Sequence, residues 1–158
     1  LFNELSYYIE RCGGVRNCNQ KVLKECLSAL AILIAPFTPH MSEDIWHNLG
    51  NKNLISLGPW PSFEEKKIDK NILELENIFK KTLEDLTQVL KLAGKKKNAY
   101  LYFVTDKELN YFKESVGYLQ KMFDFQEVEL FKSPDKGKYD PENKAPRAKY
   151  GRPAIYLE

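Results

Sequence analysis

Apolar residues recur at helical spacing along most of this chain, and alternation of apolar and polar positions enters only in its last third. Leu1, Leu5, Tyr8 and Ile9 mark one helical face over residues 1–11, which Gly13-Gly14 ends. Asn17 or Asn19 is placed to cap a second helix, on which Val22, Cys26, Leu27, Leu30 and Ile34 recur to about Ala35. From Leu27 onward this helix is apolar over most of its circumference, which predicts a central position. Ala35-Pro36-Phe37-Thr38-Pro39-His40 follows. Two prolines so close together fix φ twice and force a corner. Ser42 is placed to cap the next helix, with Glu43 and Asp44 where the helix dipole favours negative charge. Met41, Ile45, Trp46 and Leu49 share one side of that helix, and Gly50 closes it. The predicted core of this front half includes Leu30, Ile34, Phe37, Ile45 and Trp46.

Residues 51–64 read as a loop, because Gly58-Pro59-Trp60-Pro61 cannot continue a helix. Trp60, a large apolar side chain between two prolines, is expected to plug a gap between elements. A long helix starts at Asp69, with Ile72, Leu75, Ile78 or Phe79, Leu83, Leu86, Leu90 and Ala93 in helical phase, and Gly94 stops it. Aromatic and β-branched residues over 99–104 predict a strand. A helical stretch over 107–123, with a break expected at Gly117, leads to a strand over 126–131 with one wet face. Residues 133–150 carry Gly, Pro, Asn and many charges, and read as a long loop or poorly ordered arm. Pro153-Ala154-Ile155-Tyr156-Leu157 turns apolar again, as an edge strand would. The fold class expected is α+β: a mostly helical bundle over 1–67, then a small α/β domain over 68–158.

Composition narrows the chemistry. The chain has 158 residues, 43% hydrophobic and 13% aromatic, with a net charge of +2. That argues against disorder, and any nucleic-acid contact must come from local patches. The three cysteines, Cys12, Cys18 and Cys26, form no zinc spacing, and their odd number suggests a reducing compartment. The chain opens Leu-Phe-Asn-Glu, without an initiator Met, and reads as a segment of a longer protein. His40 and His47 lack a third metal ligand at a fitting position. Glu43 and Asp44 point about 100° apart on a helix, so they do not share a substrate proton. No catalytic set and no phosphate-binding glycine loop is present.

The basic patches carry more. Lys95, Lys96 and Lys97 follow a helix C-terminus beside an aromatic strand, where they either complement the dipole or meet phosphates. The tail interleaves Lys136, Lys138, Lys144, Arg147, Lys149 and Arg152 with Tyr139 and Tyr150. Cations for phosphates beside aromatics for stacking suit an RNA surface; a solvated tail is the plain alternative.

The segment from Ala35 to Trp46 resembles the proline corner in the helical anticodon-binding domain of class I aminoacyl-tRNA synthetases specific for leucine, isoleucine or valine. Ser56-Leu57-Gly58-Pro59-Trp60-Pro61 is similar to the segment that follows it there. Tyr139-Asp140-Pro141 and residues 144–158 resemble the C-terminal end of archaeal-type leucyl-tRNA synthetases. One departure is Lys149-Tyr150-Gly151, where that family more often has a leucine-proline pair. The resemblance implies a ligase whose catalytic and editing domains lie upstream. ATP and magnesium would act there, and no cofactor or metal would bind here. It implies a cytoplasmic, monomeric parent enzyme whose partner is tRNA(Leu), docked by its inner side and its long variable arm. Ile155, Tyr156 and Glu158 fall where variable-arm contacts are expected, and Glu158 can accept from a base amino group. With Lys95–Lys97, Lys144, Arg147, Lys149 and Arg152 they make up the expected tRNA-binding set. The competing reading is a protein-interaction module whose last strand pairs with a partner's sheet.

Overall fold

A computed structural model describes residues 1–158 and contains six α-helices and a three-stranded sheet. The helices are α1 (Phe2–Arg11), α2 (Gln20–Ile34), α3 (Pro39–Asn48), α4 (Lys70–Ala93), α5 (Asp106–Lys113) and α6 (Val116–Phe123). The strands are β1 (Asn98–Phe103), β2 (Glu127–Lys132) and β3 (Ala154–Leu157). The chain divides into two compact units, Leu1–Glu65 and Lys66–Glu158. No helix is long and apolar enough to cross a membrane.

In the first unit, α1 ends where the Gly14 amide bonds the Ile9 carbonyl and Gly13 takes φ +77°, which a side chain would resist. Asn19, of the two asparagines, caps α2: its Oδ1 accepts from the Lys21 and Val22 amides at 3.1 and 3.3 Å. At the corner, the Ile34 carbonyl accepts from the Phe37 and Thr38 amides and from Thr38 Oγ1 at 3.2 Å. The helix α3 then begins at Pro39, the first-turn position where a missing N–H does no harm. Ser42 therefore lies inside α3, fully buried, and is not its cap. Glu43 is not a bare helix-start charge either: both its oxygens accept from the Ile55 amide, at 3.0 and 3.1 Å, tying down the loop.

Two small apolar clusters hold this unit, Leu5 with Cys18 and Leu23, and Ala31 with Ile32, Trp46 and Ile55. Phe37, expected in the core, is 86% exposed, because the corner turns its ring outward; Leu30 and Ile34 are only half-buried. Trp60 is 64% exposed, so it fills no gap; Trp46 does that, donating its indole N–H to the Asn53 carbonyl at 3.0 Å.

In the second unit, Asp69 caps α4 and Gly94 ends it with φ +76°. Strand β1 is central, parallel to β2 and antiparallel to β3, in the order β2-β1-β3. Residues 99–103 of β1 are all buried, so both faces of the sheet are covered. Ala99, Leu101 and Phe103 share one face, where Phe103 meets Phe112 of α5 (ring centroids 4.7 Å) and Phe112 meets Phe79 of α4 (4.9 Å). Tyr100 and Tyr102 share the other face and cluster with Ala145 from the C-terminal arm. The break in the 107–123 stretch falls at Glu114-Ser115, not at Gly117, which lies inside α6.

The arm, residues 133–153, is the long loop that its composition predicts, mostly exposed but tied down by hydrogen bonds. Asp140 accepts from the Lys144 and Ala145 amides at 2.7 and 2.8 Å, and Ser133 Oγ donates to the Ala145 carbonyl at 2.7 Å. Ala145 is fully buried at the start of a 3-10 turn, Ala145–Arg147. Tyr102 donates its hydroxyl to the Tyr139 carbonyl. These bonds replace the apolar burial that the arm lacks.

Candidate nucleic-acid interface

Helix α4 presents Asp85, Gln88, Val89 and Leu92 along one stripe, since residues three, four and seven apart share a helix face. The arm runs opposite this stripe and is held in place by acids. The buried carboxylate of Glu108 accepts from the Gly151 amide at 2.8 Å, while also closing a capping box with Thr105. Tyr150 donates to Glu74 at 3.0 Å, and Arg152 Nε lies 3.3 Å from Asp85 Oδ2. Between helix and arm lies a groove of about 630 Å3. It is lined by Lys144, Arg147, Lys149 and Arg152 and by the apolar Val89, Leu92, Pro153 and Ile155, of which Leu92 is almost fully exposed. Five of the sequence-predicted residues thus meet at one place. Four cations line the groove, and two of them are paired with carboxylates, Arg152 with Asp85 and Lys144 with Glu142.

The remaining predicted residues lie elsewhere. Lys95 and Lys96 line a smaller cavity of about 380 Å3 with Leu90, Gly94, Phe123 and Asp124 at the end of α4. Lys97 is exposed, and its amide and that of Asn98 donate to the Glu158 carbonyl at 2.7 and 2.8 Å. Tyr156 and Glu158 belong to the aromatic face of the sheet, because alternation along β3 sends Ile155 to the opposite side. Tyr156 lies 5.7 Å from Tyr100 and 6.2 Å from Tyr139, centroid to centroid. The Glu158 carboxylate already accepts from the Tyr139 hydroxyl at 3.1 Å.

Acids surround these rings. Burial, then the charges of Glu158, Glu129 and Glu127, push the Tyr100 hydroxyl above its ordinary value. The hydrogen bond to Glu158 raises Tyr139, and burial with Glu158 and Glu142 nearby raises Tyr156. Lys144 joins the two faces: its Nζ sits 5.3 Å from the Tyr156 ring centre and 2.9 Å from Glu142 Oε2.

Sequence reasoning missed Asp85 and Glu108, and named Asp140 only within the Tyr139-Asp140-Pro141 segment. Asp85 looks like ordinary helix surface until the arm lies across from it. A signal for Glu108 was present, since Thr105-x-x-Glu108 is a capping-box spacing. No group of His, Cys, Asp or Glu side chains is placed to hold a metal ion. His40 is exposed, and His47 Nδ1 lies 3.0 Å from the Asn51 carbonyl in the turn that ends α3.

A helical corner is followed by a small sheet domain whose arm and α4 line a groove carrying four cations. Residues 1–108 match the family described as the anticodon-binding domain of tRNA ligase, and the chain belongs to that family. Its relatives carry the name leucine–tRNA ligase. The chain is 37% identical to leucine–tRNA ligase 2 of Metallosphaera sedula over 115 residues, covering 70% of this chain and 12% of that protein. It is 30% identical to leucine–tRNA ligase 2 of Sulfolobus acidocaldarius over 145 residues, 89% of this chain and 15% of that protein. Similarity to the leucine–tRNA ligase of Methanococcoides burtonii, 27% identical, takes in 100% of the chain and 23% of that enzyme. The chain therefore corresponds to a minor part of each relative's length.

Proposed function

We propose that this chain is a tRNA-docking part of a leucine–tRNA ligase. It holds tRNA(Leu) so that a catalytic domain elsewhere in the whole enzyme attaches leucine, using ATP and magnesium, in the cytoplasm. The observation that carries this reading is the convergence of Lys144, Arg147, Lys149 and Arg152 on one groove. Their charges neutralise phosphates and supply affinity, while the groove's shape and apolar lining select what lies in it. The long variable arm is the element proposed to occupy it.

The test is tRNA(Leu) binding by the 158-residue chain across a salt series, with Arg147→Ala and Lys149→Ala combined. The salt slope should fall by roughly 1.4–1.8, at 0.7–0.9 per lost phosphate contact. An unaltered slope and affinity would remove the groove from the tRNA-binding surface. A second reading, strand pairing with a partner protein, is favoured by the edge position of β3. A strand of four residues offers few main-chain bonds, so this reading ranks behind the first.

A further inference from the structure

We infer that Asp85 and Glu142 are specificity-determining residues, each holding one cation of the groove in an ion pair that an RNA phosphate must displace. This rests on the groove being the RNA site. Arg152 is paired to Asp85 at 3.3 Å and Lys144 to Glu142 at 2.9 Å. Arg147 and Lys149, lining the same groove, are exposed. Two of the four cations are thus already engaged by carboxylates, which imitate the ligand's phosphate groups. The other two are ready to meet the first phosphate that arrives.

Both pairs are partly exposed; the Arg152 side chain is 77% accessible. Exposed pairs are weak, so phosphate can exchange with carboxylate at little loss. The exchange nevertheless has a directional consequence. Asp85 is fixed on α4 and lines the groove, so it stays there after Arg152 turns away. A phosphate then gains Arg152 only if its path keeps clear of the freed carboxylate. An RNA whose backbone follows the groove obtains all four cations. One that crosses it obtains two cations and meets repulsion. Discrimination by a built-in competitor works against the wrong ligand more than it helps the right one.

The experiment compares Asp85→Asn combined with Glu142→Gln against the unaltered 158-residue chain. The probes are a tRNA(Leu) transcript and a mixed-sequence RNA duplex, each across a salt series. The amide variants keep side-chain size, and their melting temperature reports that the fold persists. Binding of the duplex should tighten about three- to fivefold, the effect of releasing weak exposed pairs. Its salt slope should steepen by roughly 0.7–0.9 per freed cation. Binding of tRNA(Leu) should tighten less, so the ratio of the two affinities falls. Equal tightening for both RNAs, or no tightening, overturns the inference. The Arg147→Ala, Lys149→Ala chain separates the two ideas. If that chain binds weakly while the amide variants change nothing, only this inference fails; if it binds normally, the groove reading fails and takes this one with it.

Discussion

Gly58 shows how closely single residues are fitted in the first unit. Its φ is −72°, ordinary for any residue, so conformational freedom does not explain the glycine. Space does: a Cβ there would stand 3.1 Å from the Ile55 carbonyl and 3.2 and 3.3 Å from two Trp46 ring atoms. Gly58→Ala should therefore destabilise this unit by about 1–3 kcal/mol, the range for overpacking, as read from a urea unfolding midpoint. A midpoint equal to that of the unaltered chain would mean that the Trp46 ring can move aside. The same loop explains the charged residues of the corner. Glu43 accepts from the Ile55 amide and His47 Nδ1 lies 3.0 Å from the Asn51 carbonyl, so both serve the loop's backbone.

Among the elements, the arm depends most on polar bonds. Its contact with the sheet runs through Tyr100, Tyr102, Tyr139 and Tyr156, whose rings pack under neighbouring acids. Burial raises the hydroxyl of Tyr102, with Asp140 adding to it, as it does for Tyr100 and Tyr156. Each keeps its proton in the folded state to higher pH than the ordinary tyrosine value of 10. Below about pH 10 both folded and unfolded chains are protonated, and the contribution to stability is complete. Above it the unfolded chain loses protons first, so stability falls as pH rises toward the folded-state values. The chain should lose melting temperature steadily above about pH 10, with tyrosinate absorbance lagging in the folded protein. Absorbance that follows free tyrosine would mean that the arm does not cover the sheet in solution.

At the scale of the whole molecule, the distribution of cations is the feature to test. Four lie in the groove, while Lys95 and Lys96 line a separate cavity at the end of α4. If the lysines also meet phosphate, Lys95→Ala with Lys96→Ala should lower the salt slope of tRNA(Leu) binding by roughly 1.4–1.8. An unchanged slope would leave them the roles of balancing the helix dipole and keeping the chain soluble. The family match spans residues 1–108 and therefore runs through the first unit into α5, whereas the groove takes its cations from residues 144–152. The cations of the proposed docking groove thus lie beyond the matched region, while α4, which lines its other side, lies within it.

Local rules carried much of the fold. Periodicity, caps and glycine stops placed α1, α2, α4 and β1 within a residue or two, because those signals act between residues close in sequence. The proline corner was legible for the same reason, and the edge strand at the end was marked by a short apolar run. What lay outside local reach was decided by tertiary structure. Phe37 and Trp60 are apolar yet exposed, since burial depends on which way a corner turns and not on side-chain type. The arm was legible as a long loop; which bonds tie it down was not, because some reach acids far away in sequence, as Gly151 does to Glu108. The basic residues of the tail were visible as a list of charges. Their convergence on α4, the pairing of two of them with Asp85 and Glu142, and the separation of Ile155 from Tyr156 onto opposite sheet faces required the chain to be folded. Charge type is a property of a residue, but a groove is a property of distances between residues far apart in sequence.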